Sequence, residues 1–262
     1  RITDQYTNYT DGGPSADTIT VDVTPTDFKV VGDVVASGGT EVATYWNSTN
    51  NVMNVTVPLD NDLTLIGGSI QLQAKVTPGN AFTNVGDPVS IVGAYINNNT
   101  QISADSSQYS SLADFGDNLL IYHTALVTDA AGNEKVFVES NKTILIDVTP
   151  PIFASAASTQ PNGYYSVGDT VTFSATFDDS VARSSSGTSW TVYLNSGHSI
   201  TGEIEAGNML TMNFTDTVKI GDASPDFGIN SIVITDGSLR DFAGNDMSTF
   251  TILDGNNIFD SK

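Results

Sequence analysis

Several turns in this chain carry oxygen ligands in patterns that suit a hard divalent cation. Asp129-Ala-Ala-Gly-Asn133 places a carboxylate and an amide four residues apart across a glycine, and Asp147 follows 18 residues after Asp129. The same 18-residue spacing separates Asp4 from Asp22. Calcium takes about six to eight oxygens from carboxylates, amides, carbonyls and water, so Asp4, Asp22, Asp129, Asn133 and Asp147 form a first candidate ligand set. The plain alternative is that Asp-x-x-Gly-Asn is a good turn, because Asn and Gly tolerate positive φ and Asp bonds its own backbone. Asp129 and Asp147 can approach each other only if both lie at the pole of the linker. A second set, Asp169, Asp222, Asp226, Asp241 and Asn245, sits in turns of the second half. These five either converge at one pole or stay apart as exposed turn residues.

Other chemistry finds little to stand on. The chain has no Cys, which excludes disulfides, thiol catalysis and thiolate zinc sites. His123 lies mid-strand on the face of Leu119, Ile121, Ala125 and Val127, which makes it a packed or rim histidine. His198 sits in a Ser-Gly-His-Ser turn and reads as exposed. Neither belongs to a nucleophile or metal motif, there is no glycine-rich phosphate loop, and the chain does not read as an enzyme. Sequons stand at Asn8, Asn47, Asn54, Asn98, Asn141 and Asn213, a number that the abundance of Asn, Ser and Thr would produce by chance. Tyr45, Trp46, Tyr164, Tyr165 and Tyr193 are available to a sugar, which keeps a carbohydrate-binding module as the alternative function. Tyr45 and Trp46 point to opposite faces of a strand, so one of them is core.

The charge narrows the partners. Thirty acidic residues against nine basic ones give a net charge of -21. That field repels nucleic acid and anionic membranes and attracts cations. No apolar run is long enough to span a bilayer as a helix.

The elements that must position these groups are strands. Period-two alternation dominates, punctuated by Gly, Asn and Asp. Strands are expected at Asn51–Pro58, Ser69–Val76 and Asn118–Thr128, then at Thr170–Phe177, Ser189–Leu194, Met209–Thr215 and Ser231–Ile234. Within Thr170–Phe177 the alternation puts Val171, Phe173, Ala175 and Phe177 on one face, and Ser106–Phe115 has room for one helical turn. Many short half-buried strands between polar turns describe antiparallel β-sandwiches.

One phrase occurs twice. Thr18-Ile-Thr-Val-Asp-Val-Thr-Pro-Thr-Asp-Phe28 returns as Thr143-Ile-Leu-Ile-Asp-Val-Thr-Pro-Pro-Ile-Phe153, offset by 125 residues. The repeat makes residues 1–22 the tail strand and linker of a preceding repeat, held either by strand addition into a neighbouring copy or by folding back. One module then covers 23–147 and a second 148–262, with the prolines after Asp147 stiffening the boundary.

Val35-Ala-Ser-Gly-Gly-Thr-Glu-Val-Ala-Thr-Tyr-Trp-Asn-Ser-Thr49, Asn54-Val-Thr-Val-Pro58, Gly67-Gly-Ser-Ile-Gln-Leu-Gln-Ala74, Thr128-Asp-Ala-Ala-Gly-Asn133 and Asp147-Val-Thr-Pro-Pro151 resemble an Ig-like repeat of giant microbial cell-surface proteins. Tyr165-Ser-Val-Gly-Asp169, Gly221-Asp-Ala-Ser-Pro-Asp226 and Arg240-Asp-Phe-Ala-Gly-Asn245 resemble a second Ig-like type from the same proteins, with a Ser-rich departure at Arg183–Ser189. The resemblance implies two tandem Ig-like β-sandwiches in an extracellular adhesin, matrix or surface-layer protein, often stiffened by calcium. Its partners would be neighbouring repeats or copies of the same protein, with surface glycans as a further possibility, and its role would be structural.

Overall fold

The computed structural model describes residues 2–3, 9–10, 20–27, 29–158, 160–161, 163–223 and 228–247. Asp4, Asp226 and the fate of most of residues 1–22 lie outside them. Within that tail, β1 (Ile2–Thr3) and β2 (Tyr9–Thr10) pair with each other antiparallel.

The first module is built from β3 (Val34–Ser37), β4 (Tyr45–Trp46), β5 (Val52–Pro58), β6 (Ser69–Val76), β7 (Thr83–Asn84), β8 (Val89–Ser90), β9 (Asn99–Asp105), β10 (Leu120–Thr128), β11 (Glu134–Val136) and β12 (Ile144–Ile146). One sheet has the order β3-β5-β9. The other runs β4-β12-β10-β6-β7, with β8 also on β6 and β11 on β10. Alternation decides which side chains turn inward. Met53, Val55 and Val57 of β5 are fully buried, and so are Ile121, Ala125 and Val127 of β10. They meet in a single core that both sheets line, as in a β-sandwich. A single turn of helix, α1 (Ser106–Ser110), drops Tyr109 into that core beside Trp46. Trp46 is the buried member of the Tyr45–Trp46 pair.

The second module comprises β13 (Phe153–Ser158), β14 (Thr170–Arg183), β15 (Ser189–Leu194), β16 (Ser199–Glu203), β17 (Met209–Thr217), β18 (Ile229–Thr235) and β19 (Leu239–Arg240). Its sheets are β13-β14-β17, with β19 on β14, and β16-β15-β18. The expected face of Val171, Phe173, Ala175 and Phe177 is buried. Phe153 stacks on Phe177 at 4.7 Å between ring centroids, and the Trp190 edge meets Phe214 at 4.8 Å. Of these, the fully buried Phe153, Phe177 and Phe214 contribute about 1.5–3 kcal/mol each; Trp190 is partly buried. This core draws only on residues from Phe153 to Met247, while the first draws on Val31 to Ile146 with Val148 packed against it.

Two features depart from the sequence pattern. The first module is not wholly antiparallel, because β4 runs parallel to β12. The Thr44 and Trp46 carbonyls accept the Leu145 and Asp147 amides there, so the last strand is pinned as it leaves the module. Second, β14 continues past Phe177 to Arg183. Its register against β17 slips between Thr176 and Val181, and Asp178-Asp179-Ser180 bulge out of the ladder. A bulge bends a strand and re-aims its side chains.

His123 is fully buried, 5.6 Å from the Tyr109 ring, and neither ring nitrogen has a hydrogen-bond partner. Burial pushes its pKa from 6.5 down to about 3. The folded value lies below the unfolded one, so this contribution to stability is intact above pH 6.5 and is lost as pH falls toward 3. A His123→Leu variant should therefore be no less stable than the parent at pH 7. Below pH 6.5 its advantage should widen by about 1.4 kcal/mol per pH unit. Urea unfolding followed through Trp46, in a Trp190→Phe background, reads this out for the first module.

Candidate metal centre at the module junction

The linker between the two cores has each of its backbone N–H groups engaged, from Asp147 to Ile152. The Asp147 amide donates to the Trp46 carbonyl at 2.9 Å. The Val148 amide donates to Asp117 Oδ1 at 2.6 Å, and the Thr149 hydroxyl donates to Asp117 Oδ2. The Thr149 backbone bonds Asp147 in a local turn. Pro150 and Pro151 have no N–H to satisfy. The Ile152 amide donates to Asp178 Oδ1 at 2.7 Å, using the bulge of β14.

A loop from the second module closes this arrangement. In Asp241-Phe-Ala-Gly-Asn245 the Asp241 carboxylate accepts the Gly244 and Asn245 amides at 2.8 and 2.9 Å. Asn245 Nδ2 donates to Asp241 Oδ2 at 2.8 Å and to the Asp147 carbonyl at 2.9 Å, with a longer contact of 3.3 Å to Asp147 Oδ1. Asn245 Oδ1 accepts the Ser48 amide of the first module at 2.8 Å. In return, Asn47 Nδ2 donates to the Ala243 carbonyl at 2.7 Å. Gly244 has φ +95°, and a Cβ there would meet Thr40 at 2.7 Å and Val42 at 2.9 Å, so only glycine fits against this part of the first module.

Three carboxylates converge at this place. Asp147, Asp179 and Asp241 each offer an oxygen, and these oxygens lie within 4.8 Å of one another. Asp147 is half-buried, Asp179 exposed and Asp241 buried. Among the described residues, no Lys, Arg or His pairs with these three or with Asp117. Arg240, next in sequence to Asp241, turns its guanidinium to Asp246 at 2.6 Å. The crowding is visible in Asp147, whose pKa is raised to about 6 by burial first and then by the charges of Asp241, Asp117 and Asp179. Oxygen-only donors, uncompensated negative charge and one buried anchor are the chemistry of a hard-cation site.

The sequence-derived ligands are thus divided among several places. Asp147, Asp241 and Asn245 come together. Asp129 and Asn133 lie at the opposite end of β10 from Asp147, because Ile121 near the start of that strand pairs with Ile144. They meet Asp22 instead, where Asn133 Nδ2 reaches the Asp22 carbonyl at 3.3 Å and Asp129 Oδ2 at 2.8 Å. Burial works to raise the Asp129 carboxyl, but the bonds from Asn133, Ala131 and Gly132 together hold it below the usual carboxylate value. Asp169 and Asp222 do not join Asp241. Asp169 precedes the Thr170↔Thr217 end of β14, whereas Asp241 follows the β19 residue that pairs with Ala182. Asp169 caps a local turn by accepting the Ser166 amide, and Asp222 accepts the Lys219 amide and contacts His198 Nε2 at 2.7 Å. His198 is thereby partly sheltered rather than free.

Sequence reading missed Asp117 and Asp179. The signal for Asp179 is the Asp178-Asp179-Ser180 interruption of an apolar alternation. Asp117 sits in an ordinary Gly-Asp-Asn turn that nothing local distinguishes. Among the sequons, Asn47 is fully buried between the modules and satisfied by Thr40, Thr49 and Ala243, so glycosylation there is incompatible with the closed junction. Asn98, Asn141 and Asn213 are exposed. The exposed tyrosines are dispersed, with Tyr164 and Tyr165 before β14 and Tyr193 on β15. Comparison with protein-family models finds no match for this chain, and neither does comparison with curated proteins.

Two outcomes follow from this geometry. In cation-free protein the Asp147 carboxyl carbon should titrate near pH 6, and Asp179→Asn should bring the midpoint down. Because the folded value exceeds the usual 3.8, the fold favours the protonated form. The contribution of this group is complete below the ordinary carboxylate range and is lost as pH rises through about 6. Separately, Asn245→Ala leaves the Ser48 amide, the Asp147 carbonyl and Asp241 without a shared partner. It should cost about 2–3 kcal/mol in denaturant unfolding read through Trp190.

Proposed function

We propose that this chain is a structural spacer from a secreted cell-surface protein, made of two tandem Ig-like modules whose relative orientation is fixed at the linker. A divalent cation, calcium by its oxygen chemistry, completes the joint. Asp147, Asp179 and Asp241 would supply its carboxylates. The observation that carries this reading is the convergence of carboxylates from both modules on a linker that both modules also hold by hydrogen bonds. A bound cation would remove the repulsion that raises the Asp147 pKa, and it would tie the bulge of β14 to the end of the first module. Extracellular placement rests on the resemblance, and the acidic, Cys-free composition is compatible with it.

The test is thermal unfolding at fixed high ionic strength, first with chelator and then with Ca²⁺ or Mg²⁺. A ligand present at about 100 times its Kd adds about 2.7 kcal/mol, a rise on the order of 10 °C for modules of this size. The expected result is such a rise with Ca²⁺, a smaller one with Mg²⁺, and its loss in Asp179→Asn and Asp241→Asn. Equal melting under all three conditions would remove the cation from the joint.

A further inference from the structure

We propose that the free end of the first module is itself a docking face, built to receive another module of the same kind through the Asp129–Asn133 loop. The argument rests on a part-for-part equivalence with the joint already formed. Asp241-Phe-Ala-Gly-Asn245 and Asp129-Ala-Ala-Gly-Asn133 are the same turn. Each Asp accepts the amide of its Asn at 2.9 Å and the Asn side chain at 2.8 Å, and the glycines share φ values of +95° and +93°. Each Asn also donates to the carbonyl of the Asp that opens an Asp-Val-Thr-Pro linker, Asp147 in one case and Asp22 in the other. Asp22 forms its own local turn by accepting the Thr24 amide at 3.0 Å.

The two loops differ in what lies beyond them. Ala243, Gly244 and Asn245 are buried against Thr40, Val42 and Asn47 of the first module, and Asn245 Oδ1 accepts the Ser48 amide. In the other copy Ala131 and Gly132 are exposed, and among the described residues a Cβ on Gly132 would meet nothing within 4 Å and no donor reaches Asn133 Oδ1. Among the described residues, the loop-to-linker half of the joint is repeated here and the loop-to-module half is not. The occupant must present what Thr40–Asn50 presents: a small Thr/Val shelf, an Asn amide that donates to the loop carbonyl, and an outward backbone N–H. A β-sandwich like residues 23–147 meets that description. This inference deepens the spacer reading and rests on it, but it does not need the cation.

The test is a three-module chain in which residues 23–147 appear twice ahead of residues 148–262. The 125-residue register then places the first Asp147 where Asp22 would stand. The protein has no Cys, so pairs of engineered thiols carry spin labels without interference. One pair, Gln101→Cys with Thr201→Cys, spans the native joint; the other, Gln101→Cys in both copies, spans the new one. The expected result is a distance distribution at the new joint as narrow as that at the native one, and loss of that narrow peak with Asn133→Ala in the middle module. A broad distribution at the new joint beside a narrow native one overturns the docking face, and so does a narrow one that ignores Asn133→Ala. A broad distribution at the native joint overturns the spacer reading itself.

Discussion

The arrangement of the two modules depends on one buried amide. Asn245 is completely enclosed, and its three functional contacts reach its own loop, the linker backbone and the neighbouring module. A polar group without solvent must find its full complement of partners or cost the fold heavily. Here the complement exists only when the loop, the linker and the Ser48 turn are in one relative position. Any rotation of one module against the other breaks at least one of these bonds without offering water in exchange. Orientation is therefore specified by hydrogen-bond satisfaction, and the small apolar contact of Gly244 with Thr40 and Val42 serves to exclude solvent from it.

Placing that amide requires features spread over the chain. The Asp241 turn follows β19, which is anchored on β14. The same strand bulges at Asp178–Ser180 so that one carboxylate caps the linker and the next joins the acidic cluster. The bulge interrupts the pairing of β14 with β17, and in exchange the linker amide at Ile152 gains a charged acceptor. On the other side, Asp117 closes the turn before β10 and binds the two residues after Asp147. Electrostatics runs against this assembly, as the raised Asp147 pKa records. Hydrogen bonds hold together a joint that its own charges push apart.

Most of the framework was legible in the sequence because it is local. Alternation in Asn51–Pro58 or Thr170–Phe177 follows directly from strand geometry, and the helical turn expected within Ser106–Phe115 forms at Ser106–Ser110. The repeated Asp-Val-Thr-Pro phrase marked both linkers. The parallel pairing of β4 with β12 was not legible, since it depends on where a short edge strand lands after crossing between sheets. The site was half readable. Turn motifs put Asp147 in one candidate set and Asp241 with Asn245 in another, but spacing could not say that Asp129 lies a whole strand away from Asp147, or that Asp169 and Asp241 flank opposite ends of β14. Asp179 was hidden by the bulge that gives it its role, for a period-two pattern describes the ladder and not its interruptions.

The bonded linker has a consequence for reach. A chain of units joined by freely jointed segments grows in end-to-end distance only as the square root of their number. A joint whose amides are engaged, and whose two prolines have fixed φ, adds its full length each time it recurs. Because the contact is head-to-tail rather than self-complementary, its rotation accumulates along the chain instead of cancelling. Each recurrence turns the next unit by the same angle. The handedness and pitch of any such rod are thus set where the linker meets the Asp241–Asn245 loop and the Ser48 turn.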